Sequence, residues 1–127
     1  MSHTVKINVV YKDLSALKTA FQSFGWTIKE NSKIRSYYGQ EQHTFPYAAI
    51  NPQKQGYDIG LTPSQDGTID VKTDFFDRSI ETQLGKDLAA LTQKYACQVI
   101  EDEYIFQGYT VDYEQLKNGT VKLTVRK

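Results

Sequence analysis

Two pairs of short alternating runs, each pair joined by a polar turn containing glycine, constrain the fold of this chain more than any other feature. Tyr57, Ile59 and Leu61 alternate with Asp58 and Gly60, and beyond Gln65-Asp66-Gly67 the pattern resumes in Ile69, Val71, Thr73 and Phe75. Tyr109, Val111 and Tyr113 behave alike, and beyond Lys117-Asn118-Gly119 come Val121, Leu123 and Val125. A period of two sends successive side chains to opposite faces of a strand, and a tight glycine turn between two such runs closes an antiparallel hairpin. Residues 27–38 and 44–50, rich in Ile, Thr, Tyr and Phe, read as a further hairpin with Gly39 to His43 as its loop. Val5, Ile7, Val9 and Tyr11 alternate as a first strand.

Between these runs the spacing changes to that of a helix. Asp13 is placed to cap a segment in which Leu14, Leu17, Phe21 and Phe24 recur at helical spacing, and Gly25 stands where a left-handed C-terminal cap is wanted, so a helix is predicted over 14–24. From Ser79 onward Ile80, Leu84, Leu88, Leu91, Tyr95 and Val99 fall three or four apart. This predicts one long helix that runs to Phe106, ends at Gly108 and could break near Cys97. The expected class is α+β over a single domain, residues 1–127: a mostly antiparallel sheet of about seven strands with two helices, in the order β-α-β-β-β-β-α-β-β. Strands lie ~4.8 Å apart and a helix covers ~10 Å, so two helices shield roughly four of seven strands on one face. The remainder must curl, meet another subunit or offer a surface, a situation suited to the nine tyrosines, whose rings tolerate a half-wet sheet.

Composition narrows the function classes. Fifteen Lys and Arg balance fifteen Asp and Glu, which gives no electrostatic case for nucleic acid or an anionic membrane as partner. The charges are segregated, however: residues 61–116 hold four bases and eleven acids, and residues 117–127 hold four bases and no acid. The single Cys97 cannot form an internal disulfide and fits a reducing cytoplasm, as a buried and inert thiol. No eighteen apolar residues follow one another, and the N-terminal stretch lacks a cleavage-site pattern, so the expectation is a cytoplasmic protein without a membrane span.

Catalytic chemistry finds few footholds. The two histidines are His3 and His43, neither accompanied by a nucleophile signature. There is no cysteine pair or His-x-x-x-His spacing for a metal, and no glycine-rich phosphate loop before a helix. Glu101-Asp102-Glu103 reads as a solvated helix face. Asp70 and Asp74, with Lys72 between them on one strand side, could share acid and base roles in a weak hydrolysis, but a polar sheet face is the simpler reading. No cofactor and no enzymatic activity are expected. Binding has better support: Arg35 and Tyr37 share one strand face with Lys33 beside them and His43 in the adjacent loop, an arrangement able to stack a base and fork onto a phosphate.

The order and spacing of several short segments add a resemblance. The opening Met1-Ser2-His3, Asp13-Leu14 and Ala16-Leu17 before Phe24-Gly25-Trp26, Arg35 with Tyr38-Gly39-Gln40, Tyr57-Asp58-Ile59-Gly60, Gln93-Lys94-Tyr95-Ala96, and Gln107-Gly108-Tyr109 before a terminal hairpin together resemble the hypothetical chloroplast reading frame thirty-five family. That family occurs in algal plastids, cyanobacteria, other bacteria and phages, and is a domain of unknown function. The resemblance covers nearly the whole chain and implies a small soluble stand-alone protein, with no established catalytic residues to carry over. The expectation is therefore a non-enzymatic protein that binds itself or another protein through its sheet, with Tyr38 and Tyr113 at the interface. The alternative is a binder of a phosphate-bearing small ligand, such as a nucleotide signal, at Lys33, Arg35, Tyr37 and His43.

Overall fold

The computed structural model describes residues 4–6, 10–36, 39–40, 44–74, 77–115 and 121–126. Its centre is a five-stranded antiparallel sheet built from β1 (Thr4–Lys6), β2 (Thr27–Ser32), β5 (Phe45–Ile50), β6 (Ile59–Pro63) and β7 (Ile69–Asp74), in the spatial order β1-β7-β6-β5-β2. Two further pairs stand outside it: β3 (Arg35–Ser36) with β4 (Gly39–Gln40), and β8 (Thr110–Gln115) with β9 (Val121–Arg126). The helices are α1 (Leu14–Ser23), α2 (Arg78–Leu84) and α3 (Ala89–Phe106). The α+β class and the antiparallel pairing expected from the alternation are what the chain adopts.

β1 and β2 lie at opposite edges of the sheet, so α1, which joins them, has to cross one face from edge to edge. Its local signals are those read from the sequence: the Asp13 carboxylate accepts from the Ala16 N–H at 3.0 Å, and Gly25 follows the helix with φ +86°. Ala16, Leu17, Ala20 and Phe21 form its buried stripe. Leu17, Ala20 and Phe21 pack with Ala49, Ile59, Leu61, Ile69 and Val71 from the sheet and with Ile80, Leu84, Leu88 and Leu91 from the other helices. Burying a Leu, Ile or Phe side chain contributes roughly 1.5–3 kcal/mol each, so this single cluster supplies most of the driving force for folding. Tyr11, fully buried, bonds Thr92 Oγ1 through its hydroxyl at 2.7 Å and meets the Tyr95 ring edge-on, with ring centroids 4.9 Å apart. Burial pushes the Tyr11 phenol up. The Tyr95 hydroxyl accepts from the N–H groups of Lys12 and Asp13, which fastens α3 to the start of α1.

The structure departs from the expected element order in three places. The run 27–38 does not stay in one strand: β2 ends at Ser32, and Arg35–Ser36 pairs away from the main sheet with Gly39–Gln40, which belong to a strand and not to the expected loop. Asn31 takes φ +50° opposite Pro46, which has no N–H to donate, and the chain then turns so that Ile34 packs with Phe45 and Ala48 in a second, smaller cluster. The long helical stripe is interrupted at Gly85 to Leu88, not near Cys97, by a 3-10 turn over Lys86–Leu88 in which Asp87 and Leu88 both have positive φ. The three-or-four spacing survives that break because a compact kink keeps Leu84, Leu88 and Leu91 on the core side. The terminal hairpin, thirdly, is a separate sheet that does not extend the main one.

Asp87 is exposed at φ +53°, a conformation that costs an L side chain about 1–2 kcal/mol and glycine far less. After the entropy that glycine adds to the unfolded chain, Asp87→Gly is expected to raise stability by about 0.5 kcal/mol. The check is a urea midpoint that rises while the slope of the transition stays constant.

Candidate functional site

The most densely bonded polar region surrounds the loop between β5 and β6, residues 51–58. Asp58 directly precedes the buried strand residue Ile59 and is itself only 2 % exposed. Its carboxylate accepts from the backbone N–H of Arg35 at 2.8 Å, from the N–H of Asn51 at 2.9 Å, and from Arg35 Nε and Nη2 at 3.0 and 2.7 Å. The other guanidinium N–H groups donate to the carbonyls of Gln53, Lys54 and Asn51 at 3.2, 2.6 and 2.9 Å. A guanidinium has five N–H donors, and here each one meets an acceptor of the protein itself. The hydrogen bond to Asp58 raises the Arg35 pKa, against the opposing effect of burial. The pair is a forked, charge-assisted clamp in which three of the five acceptors are main-chain carbonyls of one loop.

Behind the clamp the network continues inward. Asn51, buried, donates to the Tyr57 carbonyl at 3.1 Å and to Ser79 Oγ at 2.9 Å, and its Oδ1 accepts from the Gln53 N–H and from Gln83 Nε2, both at 2.9 Å. Gln83 in turn accepts from the indole N–H of Trp26 at 3.1 Å. Asp77 caps α2 through the Ser79 N–H and also accepts from the Tyr57 N–H at 2.7 Å. A methyl group on Gly56 would lie 2.4 Å from Asn51 Nδ2, so the loop closes on Asn51 only because residue 56 has no side chain. The arrangement shapes and holds a loop. Its charged and polar groups are consumed by one another, which is the usual state of a buried network that specifies a conformation.

Of the ligand-binding residues expected from the sequence, Arg35 is therefore the centre of this clamp and Lys33 is exposed between β2 and β3. Tyr37 and His43 lie outside the described residues, as does Tyr38. Tyr113 belongs to β8, opposite Leu123 of β9. Asp70 is exposed and accepts from Ser64 Oγ at 3.2 Å, whereas Asp74 is buried at the end of β7. Sequence reading missed Asp58, Asn51, Asp77 and Gln83. Asp77 carries a local signal, the helix cap it makes with Ser79 two residues on, whereas Asp58, Asn51 and Gln83 acquire their roles chiefly from partners 7 to 57 residues away.

A second feature lies at the other end of the chain. The first half of α3 packs through Leu91 and Tyr95, but towards its C-terminus Ile100, Tyr104 and Ile105 are exposed, and Phe106 is 89 % exposed. Gly108 then stops the helix at φ +89°, the Tyr104 and Tyr109 rings meet edge-on, and the hairpin β8–β9 follows. Asp102 and Glu103 face solvent as anticipated, held by Gln98 and Gln107 one helical turn away.

Together these features define a small α+β protein with an internally braced loop and a C-terminal arm, the exposed end of α3 followed by a separate hairpin. Residues 20–124 match the family model described as Protein of unknown function (DUF1257), and the chain belongs to that family. The match runs from α1 into β9 and so takes in both the clamp and the arm. The chain is also similar to the uncharacterized protein ycf35 of Cyanophora paradoxa, at 27 % identity over 132 residues, which span all of this chain and 98 % of that one. No solved structure matches it. Among the described residues no helix is long and apolar enough to cross a membrane.

Proposed function

We propose that this protein is a non-enzymatic interaction protein that works through its C-terminal arm, the second half of α3 together with β8 and β9. The observation that carries the reading is Phe106, the most exposed large apolar side chain described, on a helix end that also leaves Ile100, Tyr104 and Ile105 exposed. Single exposed apolar residues are ordinary, but one helix end that leaves Ile100, Tyr104, Ile105 and Phe106 exposed together with Asp102 and Glu103 has the mixed apolar and polar composition of a docking surface. The nucleotide alternative gains no such support. A phosphate at Arg35 would have to displace Asp58 and three carbonyls that already saturate the guanidinium.

Phe106→Asp tests this reading. The side chain contributes little burial in the isolated chain, so its thermal midpoint is expected to stay within about 1 °C. Truncating an aromatic anchor typically costs 2 kcal/mol or more of binding, about 30-fold in affinity. Chemical cross-linking in cells expressing wild type or Phe106→Asp at equal levels is expected to show the cross-linked species only with wild type. Equal cross-linking by both chains would contradict a role for the arm.

A further inference from the structure

We propose that the partner of the arm is a second copy of this chain, and that the two copies join by antiparallel pairing of β9 with β9 across a two-fold axis at residue 123, giving a four-stranded sheet β8-β9-β9-β8. This rests on the reading of the arm as the interacting surface and specifies its occupant and register.

The case begins with edges. β9 pairs with β8 on one side, and among the described residues no strand lies along its outer edge. A two-stranded sheet is marginal by itself in water, and a third and fourth strand change that. Of the main sheet's two edges, β1 is only three residues long, and β2 has Lys29 and Glu30 exposed along it and a kink at Asn31, φ +50°. β9 has neither proline nor kink over its six residues, Val121–Arg126. Of its two cations, Arg126 is already tied to Asp112 of its own hairpin, which leaves Lys122.

Charge then selects the strand and the register. Self-pairing through β8 centred on residue 112 or 113 would set Asp112 against its own counterpart or against Glu114, and like charges directly opposite destabilise a ladder. Centring β9 on residue 124 would oppose Lys122 to Arg126. Centring it on residue 123 puts Leu123 opposite its counterpart, Val121 opposite Val125 and Lys122 opposite Thr124, with no like charges in register. Apolar positions meet apolar and polar meet polar on both faces, which an isologous contact requires, because each residue must suit its own symmetry mate. The register extends the pairs already present within the hairpin, where Val111 opposes Val125 and Tyr113 opposes Leu123.

Disulfide trapping reads this register directly. In a Cys97→Ala background, Leu123→Cys places two thiols directly opposite, within bridging range, whereas Lys122→Cys and Thr124→Cys each leave the pair offset by two residues, ~8 Å apart and out of range. Under mild oxidation Leu123→Cys is expected to cross-link at least tenfold more than either neighbour, and the untagged wild type to sediment as a dimer. Should Leu123→Cys perturb folding, a mixture of Val121→Cys and Val125→Cys chains supplies the same test: it is expected to form the mixed cross-linked dimer in preference to either homodimer. A dimer whose cross-links do not peak at 123 would overturn the β9 pairing while leaving the arm as the interface. A wild type that sediments as a monomer at all concentrations up to 200-fold above the cellular level would overturn the second copy as occupant; the cellular Phe106→Asp experiment then decides separately whether the arm binds anything else.

Discussion

Arg35→Ala is expected to lower the unfolding free energy by about 3–5 kcal/mol, because it leaves the Asp58 carboxylate buried without its cation. Asp58 is 2 % exposed, so water cannot readily replace the guanidinium, and three carbonyls of the 51–58 loop lose their donors at the same time. Lysine at position 35 is not expected to rescue, since a single ammonium cannot fork onto the carboxylate and reach those carbonyls together. The check is chemical denaturation of Arg35→Ala, Arg35→Lys and wild type at constant pH. A loss under 1 kcal/mol for Arg35→Ala would mean that the clamp contributes no more than an exposed ion pair. The same variants distinguish a structural from a ligand-holding arginine: a structural one moves the midpoint of the isolated protein with no ligand added.

The second large effect is expected at Gly60→Val. On β6, Gly60 pairs with Ala48 on one side and Lys72 on the other, and a Cβ there would sit 2.5 Å from the ring of Phe45, which lies across that position. Phe45 is buried in the smaller cluster with Ile34 and Ala48, and Lys72 Nζ stands 5.7 Å from its ring centroid. Overpacking of this kind costs about 1–3 kcal/mol, while Phe45→Ala alone is expected to cost about 3–5 kcal/mol through the cavity it leaves. The two changes should compensate. The double variant Gly60→Val with Phe45→Ala is expected to be more stable than the sum of the single losses by at least 0.5 kcal/mol, the signature of residues in contact. Strict additivity would show that the ring does not depend on the missing side chain at residue 60.

Much of the fold was legible along the chain because it is dictated locally. Asp13 and Gly25 bracket α1 through cap chemistry that needs no distant partner. Gly67 at φ +87° turns β6 into β7, where the neighbouring Asp66 carboxylate accepts from Thr68 N–H and Oγ1 and is held below its ordinary range. The kink at Gly85 was harder to see. Of its left-handed residues Asp87 and Leu88, leucine is a type that rarely adopts that conformation, and their positions preserve the helical spacing of the apolar residues around them.

The site was less legible than the fold. Arg35 stands out in the sequence by its neighbours, which point to a ligand-gripping role. Whether an arginine faces solvent or a buried carboxylate depends on what folds against it, and Asp58 is 23 residues away in sequence. Arg35 and the segment Tyr57-Asp58-Ile59-Gly60, far apart in the chain, are brought together by this geometry: the clamp needs Arg35 and Asp58, and Phe45 needs the bare backbone of Gly60.

By itself the sequence determined the α+β class, the antiparallel hairpins and the caps of the first helix, since period, turn residues and capping act within a few residues of one another. Only the tertiary structure decided that the terminal hairpin stands apart from the main sheet, that Phe106 is left in solvent, and that Arg35 serves the protein's own loop. Those outcomes rest on which surfaces are covered once the chain is compact, a property of distances between residues far apart in sequence, which no local pattern encodes.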